Sequence, residues 1–466
     1  MTKPIDRRTP PVPGIPKDVT FPDYFESVLP NGLKVIVYQR SAFPMVTINI
    51  VARSGSYFDG NTPGLASIMS EMLTRGTRTG SAMKIVDEIE YLGGSIGANA
   101  GWDSSMAGTT ILSKNASTAM EVLADIVQNP TFPQEELERV REQRLSMLLQ
   151  RKSSPGALAA TRFQSAVFGQ HPYGKPAEGT ESSVNTLTTA DLAEFHRRTF
   201  SPNNAFIIAV GDLSPERMME MSAERFGDWA PVDPLVASAS TASGPEAVVV
   251  NVVDRPSAVQ SSILVGHVGI DRRNEDYVAT TLMNTLFGGY FGSRLNLNLR
   301  ENKGFTYGAH SRFDGRVHPG PFSAGADVRN DVTAAAIEEI LREIHRMRND
   351  VVGREELDGV KSYVTGNFPM QIETPNQVAQ RIVSIELYGL GKTYYNTYNS
   401  RVLAVTAEDI HRVAQRYLHP DRIAIVAAGK ATVLREALAR FGTVDVYSAD
   451  GDIIPNSSSS IQQSHP

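Results

Sequence analysis

The sequence predicts an α+β protein of two tandem homologous domains, each a mostly antiparallel sheet backed by helices. Three observations carry this expectation. The chain has 466 residues, too many for one ordinary core. TLTTADLAEFHRRTFSPNNAFIIAVGD (186–212) recurs as AVTAEDIHRVAQRYLHPDRIAIVAAGK (404–430), pairing Thr188 with Thr406, Asp191 with Asp409, Pro202 with Pro420 and Gly211 with Gly429, all 218 apart. EELERV (135–140) and EELDGV (355–360) stand 220 apart, so nearly one offset describes both matches and the repeat is an α+β unit of about that length.

Each element follows from its own pattern. In the first copy LKVIVYQR and MVTINIVARSG alternate or run apolar as strands do. GLASIMSEMLTRGT (64–77) spaces Leu65, Ile68, Met69, Met72 and Leu73 as a buried helical stripe, with Pro63 suited to the first turn after Thr62. A second helix near 82–92, a strand region GSIGANAGWDSSMAGTTIL and helices from about 116 and 134 follow. Each Thr-x-x-Asp of the repeat is an N-cap with an acidic first turn, the following proline stops the helix, and FIIAV or IAIVAA forms a buried strand. The second copy restarts at VVVNVVD and SSILVGHVG. The expected boundaries are an N-terminal extension 1–23, a first domain 24–233, a small and polar linker 234–246, a second domain 247–446 and a disordered tail 447–466.

Composition excludes several functions. With 41% hydrophobic and 21% charged residues the chain can bury large cores, and a net charge of −6 offers no general attraction to nucleic acid or anionic lipid. Absence of cysteine removes disulfides, thiolate metal sites and thiol nucleophiles. No apolar run approaches the ~20 residues of a membrane span, so membrane insertion is not expected. The polar, proline-rich start lacks a secretory apolar core, which predicts a cytoplasmic protein as the sequence stands and a periplasmic one if a signal peptide was removed. GLGKT (389–393) lacks the first glycine of a phosphate loop, because Glu386 stands there.

The stretch GLASIMSEMLTRGT resembles the G-[LI]-A-H-x-x-E-H-M-x-x-x-G-T hallmark of the pitrilysin/insulinase family of inverted-motif zinc metallopeptidases, which includes the mitochondrial processing peptidase. The frame residues Gly64, Leu65, Ala66, Met72, Gly76 and Thr77 are kept. Ser67 stands at the first histidine, Ser70 at the catalytic glutamate, Glu71 at the second histidine, and Met147 where the resemblance places a third, carboxylate ligand. Two histidines four apart share a helical face and can hold one Zn²⁺ while the glutamate takes a proton from bound water; serine does neither well. The nine histidines include no pair three or four apart, so this chain is expected to bind no metal, and Glu71 is expected to be a solvated helix carboxylate.

LFGGYFGSRLNLNLRENKGFTYGAHSRF (286–313) resembles the family's C-terminal signature, with its arginine at Arg300 and its tyrosine at Tyr307. The local pattern predicts a short helix carrying Leu295, Leu299 and Arg300, capped by Gly304, then a strand that includes Tyr307. The resemblance implies a processing-peptidase-like metallohydrolase fold and a catalytic role for Arg300 and Tyr307: a phenol donating to an oxyanion and a guanidinium holding a substrate carbonyl. It further implies an edge strand at Gly97, Ala98 and Asn99 to which an extended peptide substrate adds. Some members split the site between two chains. The chain would then be inactive alone and form a heterodimer with a homologous subunit that carries HxxEH and the zinc, cutting extended or unfolded peptides. A catalytically inactive scaffold and a peptide-binding homologue are the alternatives. His171 in HPYG (171–174) is expected to be structural.

Overall fold

The computed structural model describes residues 20–236 and 241–455. It contains two six-stranded sheets, each backed by helices, as the duplication predicts. In the first half the strands are β1 (Phe25–Val28), β2 (Lys34–Gln39), β3 (Met45–Ala52), β4 (Ser95–Ala100), β5 (Ser105–Leu112) and β6 (Ala205–Gly211), in the order β1-β2-β6-β3-β5-β4. The second half has β7 (Val249–Asp254), β8 (Gln260–Val268), β9 (Ala309–Phe313), β10 (Pro321–Arg329), β11 (Ala424–Gly429) and β12 (Val444–Tyr447), in the order β12-β7-β11-β8-β10-β9. Only β2 with β6, and β7 with β11 and β12, pair in parallel. β4 and β9 are therefore edge strands in equivalent places, each bonded on one side only.

The repeated helix–turn–strand unit forms twice. Helices Thr189–Thr199 and Ala407–Tyr417 both begin with a capping box in which the Thr188 or Thr406 hydroxyl accepts the amide of Asp191 or Asp409, whose carboxylate accepts the threonine amide in return. The apolar runs that follow become β6 and β11, fully buried because they lie inside their sheets with both faces covered.

Each sheet packs its own helices on one face and borrows a helix from the other half on the second face. Helix Pro155–Phe168 of the first half lays Leu158, Ala159, Phe163 and Val167 against Ala424, Val426 and Ala428 of β11. Helix Pro375–Tyr388 of the second half sets Val378, Ile382 and Ile385 against Phe206, Ile208 and Val210 of β6. Burying a large aliphatic side chain contributes about 1.5–3 kcal/mol, so this exchange binds the halves firmly. A polar clamp joins them as well. Buried Asp103 accepts the Tyr173 hydroxyl at 2.5 Å and the Val317 amide at 3.0 Å, and burial raises both acids above their ordinary pKa values.

Some boundaries move. The helix expected over 64–77 spans only Leu65–Met72, because the chain turns at Leu73 and Gly76 bridges to Ser81. Its start is capped by Asp59 instead of Thr62 and Pro63. The tail expected from 447 starts too early: Tyr447 ends β12, and the Ile454 amide returns to the Val446 carbonyl at 2.8 Å. The rest of that tail from 456, residues 1–19 of the extension and 237–240 of the linker lie outside the described residues.

Candidate functional site

The motif helix Leu65–Met72 is held at its N-terminus. Asp59, buried, accepts the amides of Gly64 and Ala66 at 2.8 Å each, and burial pushes its carboxyl up to about 7 despite those bonds. Gly64 sits at φ 91°, and a Cβ there would lie 2.8 Å from Gly179 Cα, so the motif's first glycine permits a close backbone crossing. Ile68, Met69, Met72 and Leu73 enter the core as the stripe predicts.

The polar face of this helix carries the surprise. Arg144, on the long helix Gln134–Arg151, donates from Nη2 to Glu71 Oε2 at 2.9 Å and from Nη1 to Ser67 Oγ at 3.0 Å. Glu71 also lies 3.5 Å from Arg75, so it is an ion-paired carboxylate 31% exposed and not the solvated one expected. One guanidinium thus spans the two positions where the family motif sets its histidines. Ser70 is fully buried and its hydroxyl finds no partner among the described residues. Met147 is partly buried on the same long helix. A donor-only cation between Ser67 and Glu71 is the opposite of a ligand set with lone pairs turned inward, so these residues do not fit Zn²⁺. Among the described residues no three His, Cys, Asp or Glu side chains gather elsewhere as a metal site. Sequence reading missed Arg144; its only signal is a basic residue at a helical position near the vacant third ligand.

In the second half, Gly288 passes so close to β9 that a Cβ would meet Ser311 Oγ at 2.6 Å. The Gly-Gly turn is flanked by two wide-wound helical turns, Thr285–Gly289 and Asn296–Asn302, the latter carrying Arg300. Gly304, at φ 61°, returns its amide to the Arg300 carbonyl and ends that helix as expected. Tyr307 is not on the strand, which begins two residues later at Ala309. It stands in a bend fixed by the Thr306 hydroxyl, which donates to the Gly308 carbonyl and accepts its amide.

Tyr307 is 94% exposed, and the Arg300 side chain 34%. The Arg300 guanidinium lies over the Phe291 ring at 4.3 Å and reaches Glu301 only at 3.5 Å. No hydrogen bond joins Arg300 to Tyr307, or either to the motif helix, among the described residues. What ties this corner together is Asn296, which sequence reading also missed because an asparagine in a polar helix looks solvated. Its buried amide donates to the carbonyls of Ala309 and Tyr290 and accepts the Ala309 amide at 2.9 Å, pinning helix, Gly-Gly turn and β9 to one another.

Gly97, Ala98 and Asn99 lie on β4, with Gly97 and Asn99 on its exposed face and open space where a Gly97 Cβ would be. Among the described residues the outer side of this strand has no ladder partner. His171 is buried and accepts the Tyr173 amide through Nδ1 at 3.1 Å, a structural contact as expected. Among the described residues no helix is long and apolar enough to cross a membrane.

Comparison with known proteins bears on the family and the fold. The family model described as "Insulinase (Peptidase family M16)" matches residues 34–181, and the one described as "Peptidase M16 inactive domain" matches 186–364. An uncharacterized zinc protease of Rickettsia bellii is 26% identical over 400 residues, covering 84% of this chain and 94% of that protein. One from Mycobacterium tuberculosis is 26% identical over 407 residues, covering 84% and 90%. The crystal structure of a peptidase M16 inactive domain from Pseudomonas fluorescens superposes with TM-score 0.82 at 27% identity, covering 88% of this chain and 98% of that one. A protease from Helicobacter pylori shares the fold, with TM-score 0.82 at 19% identity. Both halves, their order and their fold place this chain in the insulinase family, peptidase family M16.

Proposed function

We propose that this chain is the non-zinc subunit of a two-chain metallopeptidase, in which Arg300 and Tyr307 serve a peptide bond attacked at the zinc of a homologous partner. The observation that carries the reading is Tyr307 itself. Its phenol is 94% exposed and satisfies no internal need, yet the loop that bears it is anchored through buried Asn296. A phenol carried on an anchored loop and left unpaired is suited to a charge that appears only during reaction. Filling of the zinc motif by Arg144 supports the division of labour, since this chain's own residues do not fit the metal.

In this reading the Tyr307 hydroxyl donates to the carbonyl oxygen as it becomes an oxyanion. The Arg300 guanidinium holds a neighbouring carbonyl of the extended peptide. The β4 edge at Gly97, Ala98 and Asn99 adds the peptide as a further strand. The partner's zinc supplies the activated water.

The test is reconstitution of the full chain with a homologue carrying HxxEH, assayed on an unstructured peptide. Cleavage in the mixture and in neither chain alone supports the reading. Assembly without cleavage would favour a scaffold, and zinc-dependent cleavage by the lone chain would refute it.

A further inference from the structure

A cavity of about 690 Å³ opens in the second half between the end of β9 and the helices Arg354–Asn367 and Pro375–Tyr388. It contains neither Arg300 nor Tyr307. Its volume falls in the range of ordinary ligand pockets.

The cavity wall holds an electrostatic imbalance. Arg272 is 8% exposed, and the only hydrogen-bond acceptor of its guanidinium among the described residues is the Tyr394 hydroxyl at 2.9 Å. Its guanidinium lies 3.9 Å from the centre of the Tyr277 ring and 4.9 Å from that of Tyr394, so aromatic rings stabilise the charge without neutralising it. Buried cations ordinarily have a carboxylate. The one acid of the cavity, Asp314, is already engaged by Arg312 at 3.0 Å and Arg316 at 2.7 Å. A further cation, Arg381, lines the same space and bonds only the Gln371 amide oxygen, an uncharged partner. Tyr395, also in the wall and 3% exposed, has a hydroxyl with no hydrogen-bond partner among the described residues. Two guanidinium groups without counter-charge and an idle phenol are donors in search of an anion.

We propose that this cavity holds the C-terminal carboxylate of a peptide whose last side chain is aromatic or apolar. Arg272 and Arg381 take the carboxylate, and the exposed side chains of Tyr363 and Met370 on the cavity wall take the side chain. The peptide is favoured over a free phosphate by the course of β9. This edge strand starts beside Tyr307 and ends at Arg312 and Phe313 on the cavity rim, its outer side unpaired. Five residues at about 3.3 Å each set an upper limit of about 17 Å between Tyr307 and Arg312, within the span of an extended peptide lying along β9. The choice of a peptide rests on the reading under Proposed function; the unpaired donors do not.

The experiment is calorimetric titration of the full chain, without partner, with a short unstructured peptide ending in Phe, as free acid and as C-terminal amide. The free acid should bind at least about tenfold more tightly than the amide, the difference made by one charge-assisted pair. Arg381→Gln should remove most of that difference without changing the melting temperature. Since Arg272 is packed between two rings, Tyr395→Phe serves as the second variant and should weaken the acid alone by several-fold. Equal binding of acid and amide, binding of neither, or Arg381-dependent binding of inorganic phosphate but not of the acid would each overturn the proposal. The assay involves neither a partner nor Tyr307, so its failure is separate from failure of the reconstitution.

Discussion

Arg144 Nη2 donates to Glu71 Oε2 at 2.9 Å, so a side-chain cation occupies the face of the motif helix that the family uses for a metal. The helix keeps its link to the Gln134–Arg151 helix, through an ion pair instead of shared ligation.

Restoring the motif residues alone should therefore fail to restore the metal. The variant Ser67→His, Ser70→Glu, Glu71→His, Met147→Glu should carry no stoichiometric zinc by elemental analysis while Arg144 remains. Adding Arg144→Ala should admit it, because the donor-only cation is then gone. In the native background Arg144→Ala should cost about 1 kcal/mol in urea unfolding, a modest figure because Glu71 is partly solvated.

The clamp between halves should be worth more. Tyr173→Phe removes the hydroxyl bonded to Asp103 at 2.5 Å and leaves a buried carboxylate with one partner fewer. A loss of about 2 kcal/mol in unfolding free energy is expected, typical of a hydrogen bond to a charged group.

Acid should weaken the second half through His267. Its Nδ1–H donates to the Val268 carbonyl at 2.8 Å and its Nε2 accepts the His419 amide at 3.1 Å, so the neutral ring is satisfied and a second proton has no place. Burial, helped by the nearby guanidinium groups of Arg422 and Arg348 and by the neighbouring His419, pushes its pKa down to about 3. An unfolded histidine titrates near 6.5, so between these values the unfolded chain binds more protons and stability falls as pH falls. His196, pushed down to about 4 by burial, acts in the same sense. Asp59, whose carboxyl burial pushes up to about 7, acts in the opposite sense over the same window, so the histidine contribution is read by comparing urea midpoints of wild type and variant. His267→Gln should lower the midpoint at pH 7.5 by more than at pH 5.

The β4 edge predicts a kinetic effect without a stability effect. Gly97→Val places its branches in open space, so the melting temperature should not change. In the reconstituted enzyme KM should rise several-fold, since the new side chain crowds the same-face side chains of a peptide added beside β4.

The fold was legible where local chemistry is self-sufficient. The capping threonines at 188 and 406, the prolines after the helices and the buried strands each follow from spacing, and the offset of 218 joins them into two domains. The vacancies at Ser67, Ser70 and Glu71 were visible too, because a motif names what is missing. What fills them was not, since Arg144 reaches Ser67 across 77 residues of sequence. Asn296 and the Arg272 cavity were invisible for the same reason: their meaning lies in partners from other elements. The pattern after Gly304 predicts a strand that includes Tyr307, but the Thr306–Gly308 bond bends the chain first.

The most direct measurement is the turnover of the reconstituted pair when Tyr307 is replaced by Phe, with assembly checked by sedimentation. An exposed phenol that donates to a developing oxyanion predicts a loss of about 10²-fold in kcat, roughly 3 kcal/mol, with KM and the melting temperature nearly unchanged. Unaltered kcat in an intact pair would show that Tyr307 takes no part in the reaction.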